Sequence, residues 1–330
     1  MNVIARLWLP PILLVLVAIS ACLIGQYHIA LQEVWQAVLH IAADNPRTDA
    51  ETVLWNIRLP RIFTAIIVGA ALSVAGATYQ GMFKNPLVSP DILGVTAGAG
   101  LGAVTAIYFG GSLFTIQVVA FLGGLLAVFL VYLISRTAPH HSPTLALVLA
   151  GIAIASLLSA GISLLKILSD PYSQLTTITF WLMGGLNMAT LNDLALVAPL
   201  ICASLIPLIL LRWRMNLLSL DDEEAETLGI NTKRTRLIFI LSATLMTSAA
   251  VSITGIIGWV GLIIPHIARL WIGADFRRLL PTSLFIGATF LLLTDTIARS
   301  IFSIEVPLGI ITSLVGAPFF LSLLIQGGKR

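Results

Sequence analysis

Ten long apolar runs, separated by short polar segments, constrain this 330-residue chain more than any other feature. A run of about 20 apolar residues is long enough to cross a bilayer as a helix. Backbone in lipid must satisfy its own hydrogen bonds, and a helix does so within one segment. We therefore predict an all-α integral membrane protein of about ten transmembrane helices, forming one domain over residues 1–330. The runs lie at about 7–25, 60–82, 93–110, 114–135, 144–167, 192–211, 237–254, 256–271, 279–297 and 307–325.

Composition excludes several classes of protein. Residues are 58% hydrophobic and 10% charged, whereas a typical soluble domain is about 25% charged. A soluble enzyme, a disordered tail and a nucleic-acid-binding domain are therefore excluded.

The distribution of basic residues predicts the orientation, because cytoplasmic loops of membrane proteins carry an excess of Lys and Arg. An even number of spans places both termini on one side, and with both cytoplasmic the split is 13 to 5. The inner set is Arg6, Lys84, Arg136, Arg212, Arg214, Lys233, Arg234, Arg236, Arg269, Arg277, Arg278, Lys329 and Arg330. The outer set is Arg47, Arg58, Arg61, Lys166 and Arg299.

The first 25 residues permit a second interpretation. One basic residue, an apolar run and the sequence Ile19-Ser20-Ala21-Cys22 are similar to a signal sequence that ends at a lipid-modified cysteine. Cleavage there would leave nine spans and a lipid-anchored membrane protein. Because the run is long enough to span the bilayer, we expect residues 1–25 to be retained.

Motifs for chemistry are absent from the sequence. There is no P-loop for a nucleotide, and the five histidines are scattered without metal-ligand spacing. The spans hold few ionisable residues, chiefly Asp295 in the ninth and Lys166 at the end of the fifth. Ion-coupled carriers usually keep such groups at mid-membrane, so we expect neither catalysis nor a metal site in this chain, and an energy source elsewhere.

The predicted inner loop at 212–236 has the densest charge in the chain. Its acidic residues are followed by Gly229, which predicts a short helix that ends there. A charge run of this kind is usually a solvated face, but it also suits a docking helix for a cytoplasmic motor. The residues concerned are Asp222, Glu223, Glu224, Ala225 and Gly229.

Two arginines stand at the predicted outer end of the second span, in Arg58-Leu59-Pro60-Arg61. Long basic side chains at a span end often reach into the lipid interface. The same guanidinium groups could bind carboxylates of an acidic outer partner. The spacing leaves both possibilities open.

Five sequence blocks follow one another between about residues 55 and 325. They are Ile57-Arg58-Leu59-Pro60-Arg61, Val68-Gly69-Ala70-Ala71-Leu72 with Ala75-Gly76, Asn85-Pro86-Leu87-Val88-Ser89-Pro90-Asp91-Ile92-Leu93-Gly94, Gly261-Leu262-Ile263-Ile264-Pro265-His266 and Pro307-Leu308-Gly309-Ile310-Ile311-Thr312. Together they resemble the permease subunits of ABC importers for iron-siderophores, haem and vitamin B12. The match is specific for the family and much less so for the substrate.

The resemblance implies a type II ABC importer permease fold in the bacterial inner membrane. It implies two permease copies, two cytoplasmic ATPase subunits that hold ATP and Mg²⁺, and a periplasmic solute-binding protein, with no cofactor on this chain and no nucleic-acid partner. By position, Arg58, Arg61 and Arg299 would meet glutamates of the binding protein. Residues 222–225 and Gly229 would couple to the ATPase, and Asn85, Leu87 and Thr144 would close the cytoplasmic end of the pathway. The match around Thr144 is looser, because Ser142-Pro143-Thr144 follows His140-His141 here.

The expected function is therefore import of a metal chelate by alternating access, with an iron-siderophore first and haem or cobalamin next. The resemblance also allows an oxyanion such as molybdate. A different class, an ion-coupled secondary transporter, would use Asp295 as its coupling group.

Overall fold

The computed structural model describes residues 3–39, 48–137, 143–301 and 304–327, and every long element within them is a helix. Arg47, Lys329 and Arg330 of the orientation argument, and His140-His141 before the fifth span, lie outside the described residues. A π-helical turn, Leu54–Arg58, precedes α4, and a 3₁₀ turn, Pro90–Leu93, precedes α5. The α-helices are α1 Val3–Leu23, α2 Leu31–Leu39, α3 Asp49–Val53, α4 Leu59–Met82, α5 Val95–Tyr108, α6 Leu113–Arg136, α7 Pro143–Leu168, α8 Gln174–Met183, α9 Leu191–Leu218, α10 Asp222–Thr227, α11 Thr232–Thr254, α12 Val260–Ile272, α13 Phe276–Ser300 and α14 Leu308–Gly327.

The ten predicted apolar runs all form helices. Seven segments of the described chain are long and apolar enough to cross a membrane, namely α1, the continuous helix Asp49–Met82, α6, α7, α9, α11 and α13. Three further apolar helices, α5, α12 and the Leu308–Leu323 part of α14, are shorter. The prediction of an all-α membrane protein is confirmed.

Several boundaries differ from the prediction. The eighth run was expected to be helical from residue 256, but residues 255–259 are not helical and α12 begins at Val260. The inner loop is shorter than 212–236, because α9 continues to Leu218 and α11 begins at Thr232. The Asn231 side chain caps α11 by accepting from the Arg234 N–H at 2.9 Å, which stabilises a helix start before the apolar run.

Helices also form between the predicted spans. The segment between the first and second runs contains α2 and α3, and the segment between the fifth and sixth contains α8. At ten residues, α8 is too short to cross a bilayer and gives no clear periodic signal.

The helices α4, α11 and α13 are mostly buried, whereas α1, α6, α7 and α9 leave most of their surface uncovered in one copy. Glycines permit the closest crossings. A Cβ on Gly69 would lie 2.4 Å from the Gly287 carbonyl oxygen of α13, and one on Gly76 would lie 1.9 Å from the Gly261 carbonyl oxygen of α12. Backbones this close exclude every side chain but glycine, so tight packing is the role of these small residues.

A buried glutamine strengthens the contact between α4 and α12. The side chain of Gln80 donates to the Leu262 carbonyl oxygen at 3.1 Å and accepts from the Arg269 guanidinium at 2.9 Å. It therefore joins one turn of α4 to both the start and the last turn of α12.

Two opposite ends of the bundle carry charged residues. At one, which we call the arginine end, the start of α4 meets the end of α13 through Arg61 and Asp295. At the other, the acidic end, Lys84 after α4 pairs with Asp221 at 3.3 Å, and Asn216 of α9 donates to Asp275 at 2.7 Å. A helix of 24 residues such as α4 spans about 36 Å, so the two ends are separated by about the thickness of a membrane.

Candidate functional site

The arginine end gathers the three arginines that the sequence singled out. Arg58 ends the π-helical turn, Arg61 lies in the first turn of α4 next to Pro60, and Arg299 lies in the last turn of α13. Arg299 is more than 200 positions from the other two, but the crossing of α4 and α13 brings all three to one place. Their predicted role in docking a partner stays a prediction.

Arg61 binds two carboxylates at once. Its Nη2 lies 2.7 Å from Asp295 Oδ1, and its Nη1 lies 2.6 Å from Glu305 Oε1. Nε also donates to Asp295 Oδ1, at 3.3 Å. Such charge-assisted contacts to a planar guanidinium are strong and directional, so Arg61 is held in one orientation.

Arg299 and Arg58 connect the same cluster to the end of α1. Arg299 donates to the Ala21 carbonyl oxygen at 2.6 Å, and its Nε lies 3.6 Å from Asp295 Oδ2. Arg58 donates to the carbonyl oxygens of Cys22 and Tyr27. The Ala21 and Cys22 carbonyls belong to the last turn of α1, where cations are favoured.

The two acids of the cluster were not predicted as part of it. Asp295 is four residues before Arg299, a spacing that places both on one helix face and could have indicated the pair. Glu305 is 244 positions from Arg61, and no local pattern connects them.

A cavity of about 480 Å³ lies beside the Arg61–Glu305 pair. Apolar side chains make up most of its wall, with the amides of Gln117 and Asn187 among its polar groups. Its lining also includes residues of α8 and the glycines Gly184 and Gly255.

The acidic end carries α10, which forms and ends as predicted. Gly229 follows it with φ +83°, a left-handed conformation that glycine adopts without strain. Asp222 binds Arg236 of α11 through two hydrogen bonds of 2.7 and 2.6 Å. Ala225 is buried against the bundle, and Glu223 and Glu224 are exposed. Glu223 and Glu224 are therefore available to a partner, while Asp222 fixes the helix to α11.

The predicted gate residues lie at the same end. The Asn85 side chain accepts from the Leu87 N–H at 2.9 Å, a turn that leaves the Leu87 side chain exposed beside His266 and Phe319. Thr144 lies in the first turn of α7, next to residues 138–142, which are not described. A gate formed by these three residues stays a prediction.

Possible metal ligands are dispersed in the described ranges. Among residues 3–39, 48–137, 143–301 and 304–327, no three His, Cys, Asp or Glu side chains group in a way that could hold an ion.

Comparison with known proteins gives consistent results. Residues 12–326 match the model of the FecCD transport family. The chain is 41% identical to the molybdate import system permease protein MolB of Haemophilus influenzae, over 97% of this chain and 94% of that protein. It is 39% identical to a permease of Helicobacter pylori named as part of an iron chelatin transport system, over 94% of this chain and 95% of that protein. Other relatives are named as haemin and cobalamin permeases.

A solved structure is also similar. It is described as an inward-facing conformation of a transporter assigned to the metal-chelate type of ABC transporter. It aligns with a TM-score of 0.86 and 39% identity, over 97% of this chain and 98% of that one.

Proposed function

We propose, on the premise that this chain belongs to the FecCD transport family and is therefore the permease subunit of an ABC importer, that its importer moves a metal chelate. An iron-siderophore is the first candidate, with haem or cobalamin next. The chain itself is not an enzyme, because ATP hydrolysis in such importers is performed by a separate ATPase subunit.

One structural observation supports the importer arrangement of this chain and its partners. The arginine cluster and the exposed carboxylates of α10 lie at opposite ends of the same bundle. An importer needs this arrangement, because the binding protein and the ATPase bind on opposite sides of the membrane. In the predicted topology, 13 of the 18 Lys and Arg residues lie on the side that holds the acidic end. We therefore place the acidic end and both termini in the cytoplasm, and the arginine end outside the inner membrane.

The proposed mechanism is alternating access by two copies of this chain. A loaded binding protein docks at the Arg58, Arg61 and Arg299 clusters. Two ATPase subunits, which hold ATP and Mg²⁺, bind α10 through Glu223 and Glu224. Closure of the ATPases moves α10, and the Asp222–Arg236 contact transmits this movement to α11, which is mostly buried in the bundle. The pathway then opens to the other side.

Molybdate is a second candidate solute. The specific observation in its favour is 41% identity to a permease named for molybdate import, close to the 39% identity to the iron chelatin permease. The two candidates share the same subunits and differ only in the solute that the binding protein delivers.

The predicted alternative of an ion-coupled carrier through Asp295 is set aside. Asp295 is fully buried and paired with Arg61, and Arg299 lies beside it. The ion pair with Arg61 gives this carboxylate a structural role, because it joins the start of α4 to the end of α13. Membership of an ABC importer family also places the energy source on a partner.

The test is ATP hydrolysis and uptake by this permease in liposomes with the ATPase and binding protein encoded beside it. We expect stimulation by a ferric chelate, haem or cobalamin. Stimulation by molybdate alone would retain the importer and change the solute. Uptake that continues without the ATPase would contradict the proposal.

A further inference from the structure

We propose that Glu305 is an internal competitor of the binding protein. Its carboxylate occupies the part of the Arg61 guanidinium that an incoming carboxylate would use, so that docking displaces it. This inference rests on the proposed function, since it concerns the regulation of the same docking site.

Exposure within the cluster supports this order of events. Arg58, Arg61 and Arg299 are 3%, 6% and 8% exposed, and Asp295 is fully buried. The side chain of Glu305 is 42% exposed. A partner carboxylate that approaches Arg61 from solvent therefore meets Glu305 first.

The charge of the cluster also supports competition between Glu305 and a carboxylate of the partner. Three guanidinium groups and two carboxylates leave the cluster with a net charge of about one positive unit. If Glu305 moved away, the Arg61 guanidinium would have a free N–H donor, which favours binding of a carboxylate from a partner. With Glu305 in place, the same carboxylate meets a like charge, and like charges at an interface oppose association.

The local structure lets Glu305 move while Asp295 stays. Asp295 is inside α13, but Glu305 is one of the non-helical residues 304–307 that precede α14. The cavity of about 480 Å³ beside the pair provides space for the displaced side chain.

Displacement would also reach other helices. Glu305 is three residues before Leu308, which begins α14 and whose N–H donates to the Gly184 carbonyl oxygen at the end of α8, at 2.9 Å. A shift of this stretch on docking is therefore connected to both α8 and α14 through the backbone.

The test is the affinity of the purified binding protein for the permease–ATPase complex in nanodiscs, measured with a fluorescently labelled binding protein. Glu305→Gln keeps the shape and removes the charge. We expect it to bind about tenfold more tightly than wild type, by the loss of a partly exposed charge-assisted pair and of the like-charge repulsion. Asp49→Asn, an exposed acid on the same predicted side, is the matched control and should leave the dissociation constant unchanged.

A double-mutant cycle separates competition from general stabilisation. In the Arg61→Gln background, Glu305→Gln should no longer raise the affinity, because its target has been removed. Unchanged or weaker docking by Glu305→Gln in the wild-type background would overturn the inference, as would a gain that persists without Arg61. If the wild-type complex does not bind the binding protein at all, the proposed function fails together with the inference.

Discussion

Replacing Gly76 by alanine tests the closest helix crossing in the structure. The added Cβ would lie 1.9 Å from the Gly261 carbonyl oxygen and 2.5 Å from its carbonyl carbon. Both atoms are backbone, so no side chain can move aside. To restore a distance of 3.0 Å, α4 and α12 must separate by about 1.1 Å.

The energy follows from three contributions. Overpacking that forces a backbone shift costs up to about 3 kcal/mol. The same shift stretches the Gln80 to Leu262 hydrogen bond from 3.1 Å, whose loss costs about 1 kcal/mol. Alanine is a better helix former than glycine and offsets this by about 1 kcal/mol. We therefore expect a net destabilisation of about 3 kcal/mol, or a melting temperature about 6 °C lower.

The assay is thermal unfolding of the purified protein in detergent or nanodiscs. Gly161→Ala in α7 is the matched control, because the nearest atom there is the flexible end of Leu101, at 3.1 Å. It should melt at or slightly above the wild-type temperature. If Gly76→Ala melts like Gly161→Ala, the two backbones are not in contact and the reasoning is wrong.

Three further results are expected. Asp295→Asn leaves Arg61 without one of its two carboxylates in a buried site, and should lower the free energy of unfolding by about 3–5 kcal/mol. Glu305→Gln changes a partly exposed pair and should cost about 1 kcal/mol or less. The melting temperatures of the two variants and the wild type test this order. Asp222→Asn or Arg236→Gln frees α10 from α11. Solute-stimulated ATP hydrolysis by the reconstituted complex should then fall about tenfold if the pair contributes about 1.4 kcal/mol to coupling. Hydrolysis by the double variant should fall no further, and additive losses would contradict a shared contact. Burial acts to raise the pKa of Asp275, but hydrogen bonds from Asn216 and the Arg277 N–H, with the charges of Arg277 and Arg278, outweigh it and lower the pKa below its ordinary value. The stabilisation that ionised Asp275 contributes is present above the unfolded pKa of about 3.9 and is lost as pH falls through the lower folded pKa. The melting-temperature difference between wild type and Asp275→Asn should therefore narrow below about pH 4. A difference that stays constant with pH would contradict this prediction.

Apolar length predicted the helices well, because a segment surrounded by lipid must close its own hydrogen bonds whatever its tertiary neighbours are. The same argument failed where backbone pairs with backbone across the fold. Residues 255–259 do not join α12 because the Gly185 N–H donates to the Thr254 carbonyl oxygen, and because Gly255, at φ +67°, packs against the Trp181 carbonyl. Such contacts depend on distant parts of the chain and leave no local pattern.

The arginine cluster shows the same division. Arg58 and Arg61 are visible as a short motif, and Arg299 was added through resemblance. Their carboxylate partners are distant, since Asp295 and Glu305 follow Arg61 by 234 and 244 positions. The sequence could indicate a basic patch, but its pairing with the two acids depends on how α4, α13 and the residues before α14 come together in the fold.

The unequal burial of the helices has a consequence for how such a chain changes over time. Most positions on α4, α11 and α13 contact other helices, and a change at any of them must be matched by a neighbour. Much of α1, α6, α7 and α9 is uncovered in one copy, and at those positions that face lipid any apolar side chain of similar size is acceptable. A scan of all single substitutions should therefore show three intolerant helices within a permissive periphery. The outer helices can then drift to suit membranes of different lipid composition while the central three stay constant.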